Sequence, residues 1–156
     1  MVVMKWGIAA LAVAAIGVAG ASIAQDKAGA VKARQDFMKA QGADTKAISD
    51  YAKGMGDKAS AQKAIADLQE RAGKIPALFV PGTSMADMPG VSFAKPAAFT
   101  ESDKLAAASA NLKAVEDKVA AAINTGTPAD VAAASADLGP KGCGGCHTPY
   151  RERKPA

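Results

Sequence analysis

Five consecutive residues near the C-terminus carry the clearest chemistry in this sequence: Cys143-Gly144-Gly145-Cys146-His147. They include both cysteines and the only histidine of the chain. Thiols three positions apart share one face of a helix. From that face they can form thioethers with the two vinyl groups on one edge of a porphyrin. The next residue, His147, can then direct its imidazole at the iron from the same side. The two intervening glycines let the backbone lie close to the ring. The spacing is that of c-type haem attachment, so the implied cofactor is one covalently held haem c with its iron.

Other chemistries of two cysteines fit less well. A thioredoxin-like pair needs a strand–helix context, and no segment reads as a strong strand. A zinc site needs four ligands, and two cysteines and one histidine do not supply them. A disulfide between residues three apart closes a tiny loop and stabilises little. A bland pair of core cysteines leaves the adjacent sole histidine unexplained.

A second axial ligand, if present, must come from the residues before the motif. With one histidine, bis-histidine ligation within the chain is excluded. The thioether candidates after the N-terminal segment are Met38, Met55, Met85 and Met88. Met38 falls in a helical stretch, where core packing is its ordinary role. The other three fall in or near connections, where solvation or loop packing accounts for them.

The elements that must position these residues are helical. A first helix is expected from about Asp26 to Lys53, stopped by Gly54 and Gly56, and a second from about Ala59 to Gly73. Lys74 to Phe99 reads as a long connection, because Pro76, Pro81, Pro89 and Pro96 forbid a continuous helix. A third helix is expected after Thr100 as N-cap, with Asp103 three residues on. Its seam runs Leu105, Ala108, Leu112, Val115, Val119, Ala122, and Asn124 to Gly126 stops it. Thr127-Pro128 starts a fourth helix, with Val131, Ala134 and Leu138 facing inward. Gly139-Pro140 should break or kink it, so a further helical piece near Pro140 carries the cysteines. Four helices with one long connection predict an all-α, antiparallel four-helix bundle.

These residues carry a resemblance. Lys141, the Cys143-to-His147 motif and Tyr150-Arg151 resemble the ending of the class II c-type cytochromes, the cytochrome c prime family. Arg34-Gln35-Asp36-Phe37-Met38 is similar to that family's first-helix signature. The resemblance implies a left-handed antiparallel four-helix bundle with the haem among the helices. It also implies one of two branches. In one, a first-helix methionine binds the iron of a low-spin electron carrier. In the other, a non-ligating side chain lies over an open iron face, and the five-coordinate iron binds NO or CO.

Met38 occupies the deciding position. Met38-Lys39 followed by Gly42 is similar to the Met-ligated branch, while Arg34 and Gln35 are also like the open-face branch. The expected metal ligands are therefore His147 and Met38. Arg34, one turn before Met38, is expected to bond a haem propionate, which suits a planar guanidinium, and Gln35 could reach one too. A solvated surface arginine is the bland alternative. Arg151, one turn after His147, resembles the basic residue the family places near the imidazole, and a helix-end cation would look the same. Pro149 removes a hydrogen bond to Gly145, so the last turn is expected to be looser than in relatives.

The function expected from the sequence is that of a non-enzymatic one-electron carrier, docking redox partner proteins at the exposed haem edge. The alternative is a five-coordinate protein sequestering or sensing NO or CO, and a thiol or metal protein without haem comes third. Relatives are often dimers through bundle faces, so a second copy of the chain is a candidate partner.

Composition agrees. Met1 to Ala24 reads as a cleaved signal peptide, with Lys5 as its positive start, an apolar run from Trp6 to Gly20, and small residues at Ser22 and Ala24. A permanent anchor fits less well, since a spanning helix needs roughly 20 apolar residues and this stretch is short and Ala/Gly-rich. Export to the periplasm leaves residues 25–156 as one bundle domain and removes a single charge, Lys5, from a formal net charge of +4. Basic and acidic residues interleave, so nucleic-acid binding has little support, and Arg151 to Lys154 reads as a solvated helix end or docking patch. Aromatics are few (Phe37, Phe79, Phe93, Phe99, Tyr51, Tyr150) and alanine is abundant, so the helices bury little area each. A porphyrin would fill such a core.

Overall fold

A computed structural model describes residues 19–153, with side chains described from Asp26 onward. The expected signal peptide lies mostly outside the described residues. Among the described residues six α-helices follow one another: α1 (Ala19–Ala52), α2 (Lys58–Ala72), α3 (Ala97–Thr100), α4 (Ser102–Thr125), α5 (Pro128–Ser135) and α6 (Gly144–Tyr150). A 3₁₀ turn (Pro76–Leu78) lies between α2 and α3, and a π-helical turn (Leu138–Cys143) joins α5 to α6.

Four rods make the bundle: α1, α2, α4, and the composite of α5, the π-turn and α6. α1 packs on α2, α2 on α4, α4 on the composite rod, and α5 back on α1. Direction is fixed by cross-links. Lys58, at the start of α2, donates to the carbonyl of Asn124 near the end of α4. Ser109, in the first half of α4, donates to the carbonyl of Ala72 at the end of α2. The two helices are therefore antiparallel, and the all-α four-helix bundle expected from the periodicity is the fold.

Local chemistry sets the helix ends. Asp57 caps α2, its carboxylate accepting from the Ser60 amide at 2.8 Å. Thr127 and Asp130 form a reciprocal capping box on α5, with Pro128 in the first turn. The start of the third long helix differs from expectation. Thr100 is not its N-cap but the last residue of the one-turn α3, and Glu101 separates α3 from α4 without a side-chain cap. Pro96 permits that extra turn because a proline lacks only an N–H that a helix start leaves unpaired. α1 also begins earlier than expected, at Ala19.

The core divides along the bundle axis. One cluster gathers Ile48 and Tyr51 of α1, Ala61, Ala64, Ile65 and Leu68 of α2, Val119 and Ile123 of α4, and Val131 of α5. The other gathers Ala72, Ile75, Leu112, Val115 and Leu138, with Phe37, Met38, Phe79 and Cys143 packed against it. A third, smaller cluster of Ala98, Leu105 and Tyr150 closes the end where the chain motif lies. The observed α4 seam runs Leu105, Ser109, Leu112, Val115, Glu116, Val119, Ile123. It differs from the sequence reading in having Ser109 and Ile123 where Ala108 and Ala122 were expected, and in admitting Glu116 as well.

Candidate cofactor site

Pro140 decides how the motif is presented. It has no N–H to donate, so α5 cannot run on in α geometry. The chain answers with the π-turn: the amides of Lys141 and Gly142 both donate to the carbonyl of Asp137, each at 3.0 Å. Such wide turns recur at functional sites. Gly142 allows the turn to lie against α4, because a Cβ there would stand 3.0 Å from Leu112 Cδ1. Gly144 is demanded by the turn itself, since its Cβ would meet the Gly139 carbonyl oxygen at 3.1 Å. Gly145 faces open space. α6 then carries Cys146 and His147.

Pro149 was expected to loosen the last turn. Instead α6 ends at Tyr150, Arg151 is extended, and the chain is tied down by the long connection. The Lys95 amide donates to the Tyr150 carbonyl at 2.8 Å, and the Glu152 amide to the Phe93 carbonyl at 2.8 Å. Buried Tyr150 adds a hydroxyl bond to Glu101 Oε2 at 3.1 Å.

Cys143, Cys146 and His147 converge on one cavity of about 600 Å³. That lies within the range of roughly 300–1,000 Å³ usual for cofactor and ligand sites. Met38, Ile75, Phe79, Phe93 and Leu112 give it apolar walls, and Arg34, Gln35, Gln41, Thr45 and Arg151 add polar groups. Both cysteines are free thiols rather than a disulfide. Burial, and then the Glu116 charge, push the Cys143 thiol above its ordinary pKa; burial, and then Cys143, do the same for Cys146. Neutral thiols do not make a ready thiolate metal site, and among the described residues no group of three or more Cys, His, Asp or Glu could hold a metal ion directly. Partial desolvation against the cavity wall, and then the positive charge of Arg151, pull His147 below its usual value. Its imidazole is thus held neutral, with a lone pair free for a metal. Two free thiols, a neutral imidazole and an apolar cavity fit a haem c.

Of the four methionines weighed from the sequence, Met38 alone lines this cavity. Met55 is exposed in the turn after α1, and Met85 and Met88 lie in the long connection. Arg34 also borders the cavity, yet its guanidinium is directed into the connection and buried there. Nη1 donates to the Leu78 carbonyl at 3.2 Å and Thr83 Oγ1 at 3.0 Å. Nη2 donates to the Thr83 carbonyl at 2.9 Å and Ser92 Oγ at 3.0 Å. All four terminal N–H bonds are committed within the chain. The same group lies 5.2 Å from the ring centre of Phe79 and 5.6 Å from that of Phe99. Those rings meet edge to face at 5.5 Å. Gln35 Nε2 donates to the Val91 carbonyl at 2.8 Å. Both residues expected to reach a propionate therefore pin the connection in this structure. Phe79 and Phe93 complete the site from the long connection, which has no helical period to reveal them, and Tyr150 from the end of α6.

The family model described as cytochrome C' matches residues 29–151. The chain belongs to the cytochrome c' family. Family membership implies a haem c and places the chain among electron carriers rather than enzymes. Solved structures agree. Cytochrome c' from Thermochromatium tepidum is 25% identical, with 81% of this chain and 97% of that one covered and a TM-score of 0.70. Cytochrome c' from Rubrivivax gelatinosus is 28% identical, with 81% and 97% covered and a TM-score of 0.65. Oxidised cytochrome c556 from R. palustris shares the fold at 23% identity, with 81% and 98% covered and a TM-score of 0.68. No curated protein sequence matches the chain.

Proposed function

We propose that this protein holds one haem c through Cys143 and Cys146, with His147 as proximal iron ligand, and that Met38 covers the opposite face without bonding the metal. The haem, when bound, supplies a one-electron redox iron with an open coordination position for NO or CO. The observation that carries the reading is the packing of Met38: its side chain rests against the buried Ala72–Ile75–Leu112–Val115–Leu138 cluster, a sufficient role for it without iron. The family model and the two cytochromes c' of 25% and 28% identity favour the same branch. His147 is kept neutral beside Arg151, Tyr150 fixes the end of α6, and the apolar walls limit water at the iron. Export through cleavage after Ala24 belongs to this reading, since covalent haem attachment of this type takes place outside the cytoplasm.

A second reading has one specific support: Met38 is the only one of the four candidate methionines on the cavity wall. As ligand it would raise the reduction potential and make the chain a low-spin carrier. The absorption spectrum of the ferrous protein with and without CO separates the two. A broad high-spin spectrum that CO changes supports the open face, and Met38→Leu leaves that behaviour intact. Sharp bands indifferent to CO, converted to a CO-binding form by Met38→Ala, would establish ligation instead.

A further inference from the structure

Among the described residues, three side chains in the bundle interior keep polar atoms with no hydrogen-bond partner: Gln41 Nε2, both carboxylate oxygens of Glu116, and Ser135 Oγ. Glu116 is wholly buried and Gln41 is 8% exposed. Unpaired groups of this kind are costly, and each asks for an explanation. Their placement is common to all three. On α1, Gln41 falls between Met38, packed on one core cluster, and Ile48 of the other. On α4, Glu116 falls between Val115 of the first and Val119 of the second. Ser135 falls between Val131 of the second and Leu138 of the first. Three rods thus contribute a polar group at the level where the two apolar clusters meet.

That level borders the cofactor cavity. Gln41 and Thr45 line it, as does Leu112, one turn before Glu116, and the Glu116 charge is felt at Cys143. A second cavity of about 300 Å³ lies on the other side, lined by Thr45 and Ser135 among others. Thr45 therefore touches both. An amide donor on the first cavity, a hydroxyl on the second and a wholly buried, unpartnered carboxyl at the same level suit bound water.

We propose that Gln41, Glu116 and Ser135 form a proton-accepting layer behind the haem, bridged by buried water, and that Glu116 takes up one proton when the iron gains one electron. The inference rests on the haem reading above. The electron comes from a one-electron donor protein, and ferric iron becomes ferrous. The proton comes from bulk water by way of the second cavity and bonds to a Glu116 carboxylate oxygen, so the net charge of the site is unchanged. In a poorly solvated interior, an added electron and a nearby carboxylate repel strongly, which is the driving force.

The carboxyl is suited to the step. Burial, then Asp117, push its pKa up to about 7, and Lys113 opposes them. Other charges on the elements packed against α4 are engaged elsewhere. Arg71 of α2 pairs with Asp44 of α1 and lies near Asp67, Lys141 pairs with Asp137 at 2.9 Å, and Asp130 is spent in the α5 cap. Cys143 ceases to titrate once it is a thioether, and His147 and Arg151 of the last rod lie on the cavity side.

The test is the midpoint potential of the haem-loaded protein against pH, with the reduced-minus-oxidised infrared spectrum of the same samples. The potential should fall as pH rises through neutrality, with a limiting slope of about 59 mV per tenfold change in proton concentration. Reduction should bring up the carbonyl stretch of a protonated carboxylic acid. Glu116→Gln should flatten the slope around neutrality and remove the band. Ser135→Ala and Gln41→Leu, which keep the carboxyl, should shift the pH at which the slope appears. A slope that persists in Glu116→Gln, or a wild-type spectrum without the carboxylic-acid band, overturns the proposal. Should Glu116→Gln fail to fold, the wild-type band and the two neighbouring variants decide it. A purified protein without haem absorption overturns the underlying haem reading instead, and the spectrum alone tells the two failures apart.

Discussion

Replacing Arg34 tests how the cavity is closed. Its buried guanidinium makes four hydrogen bonds to three residues of the connection between α2 and α3. Hydrogen bonds to charged groups contribute about 1.5–3 kcal/mol each before the cost of desolvating the charge is subtracted. Removing the guanidinium strands neutral carbonyl and hydroxyl acceptors, and each one left buried and unsatisfied costs about 1–3 kcal/mol. Against a total stability of about 5–15 kcal/mol, that is a large share. Arg34→Met should therefore lower the urea midpoint sharply. In hydrogen exchange, the amides of Met85 and Ser92, which bond within the connection, should lose protection before those of α2 and α4. Arg34→Lys is the sharper arm. It keeps the positive charge but offers a single ammonium that cannot span Leu78, Thr83 and Ser92. The loss should remain at about 2 kcal/mol or more. A lysine variant as stable as the wild type, with only its reduction potential shifted, would refute this reasoning. It would return Arg34 to the haem propionate.

Other outcomes follow from single contacts. Glu116 has a native pKa near 7 against an ordinary 4.5, so the native state binds more protons between those values and stability falls as pH rises through that window. Relative to wild type, Glu116→Gln should gain up to about 3 kcal/mol above the window and nothing below it, read by urea unfolding at several pH values. Tyr150→Phe loses the bond to Glu101 and should cost about 1 kcal/mol, with Arg151 and Glu152 exchanging faster. Asp130→Ala removes half of the α5 capping box and should cost about 1 kcal/mol in thermal unfolding. Gly144→Ala sets a Cβ against the Gly139 carbonyl, so the π-turn must shift and the yield of haem-bearing protein should drop, measured by haem staining per mole of chain.

The motif and the bundle were legible in the sequence for a simple reason: both are local. Cys143, Cys146 and His147 follow one another, and the Leu105-to-Val119 seam repeats at helical spacing. Pro140 announced a break, though not that the chain would meet it with a π-turn. What stayed hidden depends on distant partners. Arg34 reads as a free cation until Thr83 and Ser92 come round to it, 49 and 58 residues on in sequence and adjacent in space. Thr100 has the side chain of an N-cap, but Pro96 had already begun a turn before it. Glu116 carried a signal that could have been used: it stands four residues after Leu112 and three before Val119, in the seam, where a surface charge does not belong. Met38 occupies the same face whether or not it bonds iron, so spacing alone does not choose between the branches.

The central claim is a covalent haem at Cys143 and Cys146, and intact mass spectrometry of the denatured, exported protein tests it most directly. The account predicts a chain beginning at Gln25 whose mass is increased by one haem, with that increment lost from the holo-form when both cysteines are replaced by alanine. A polypeptide of unmodified mass, with the pigment separating on denaturation or never present, would contradict it.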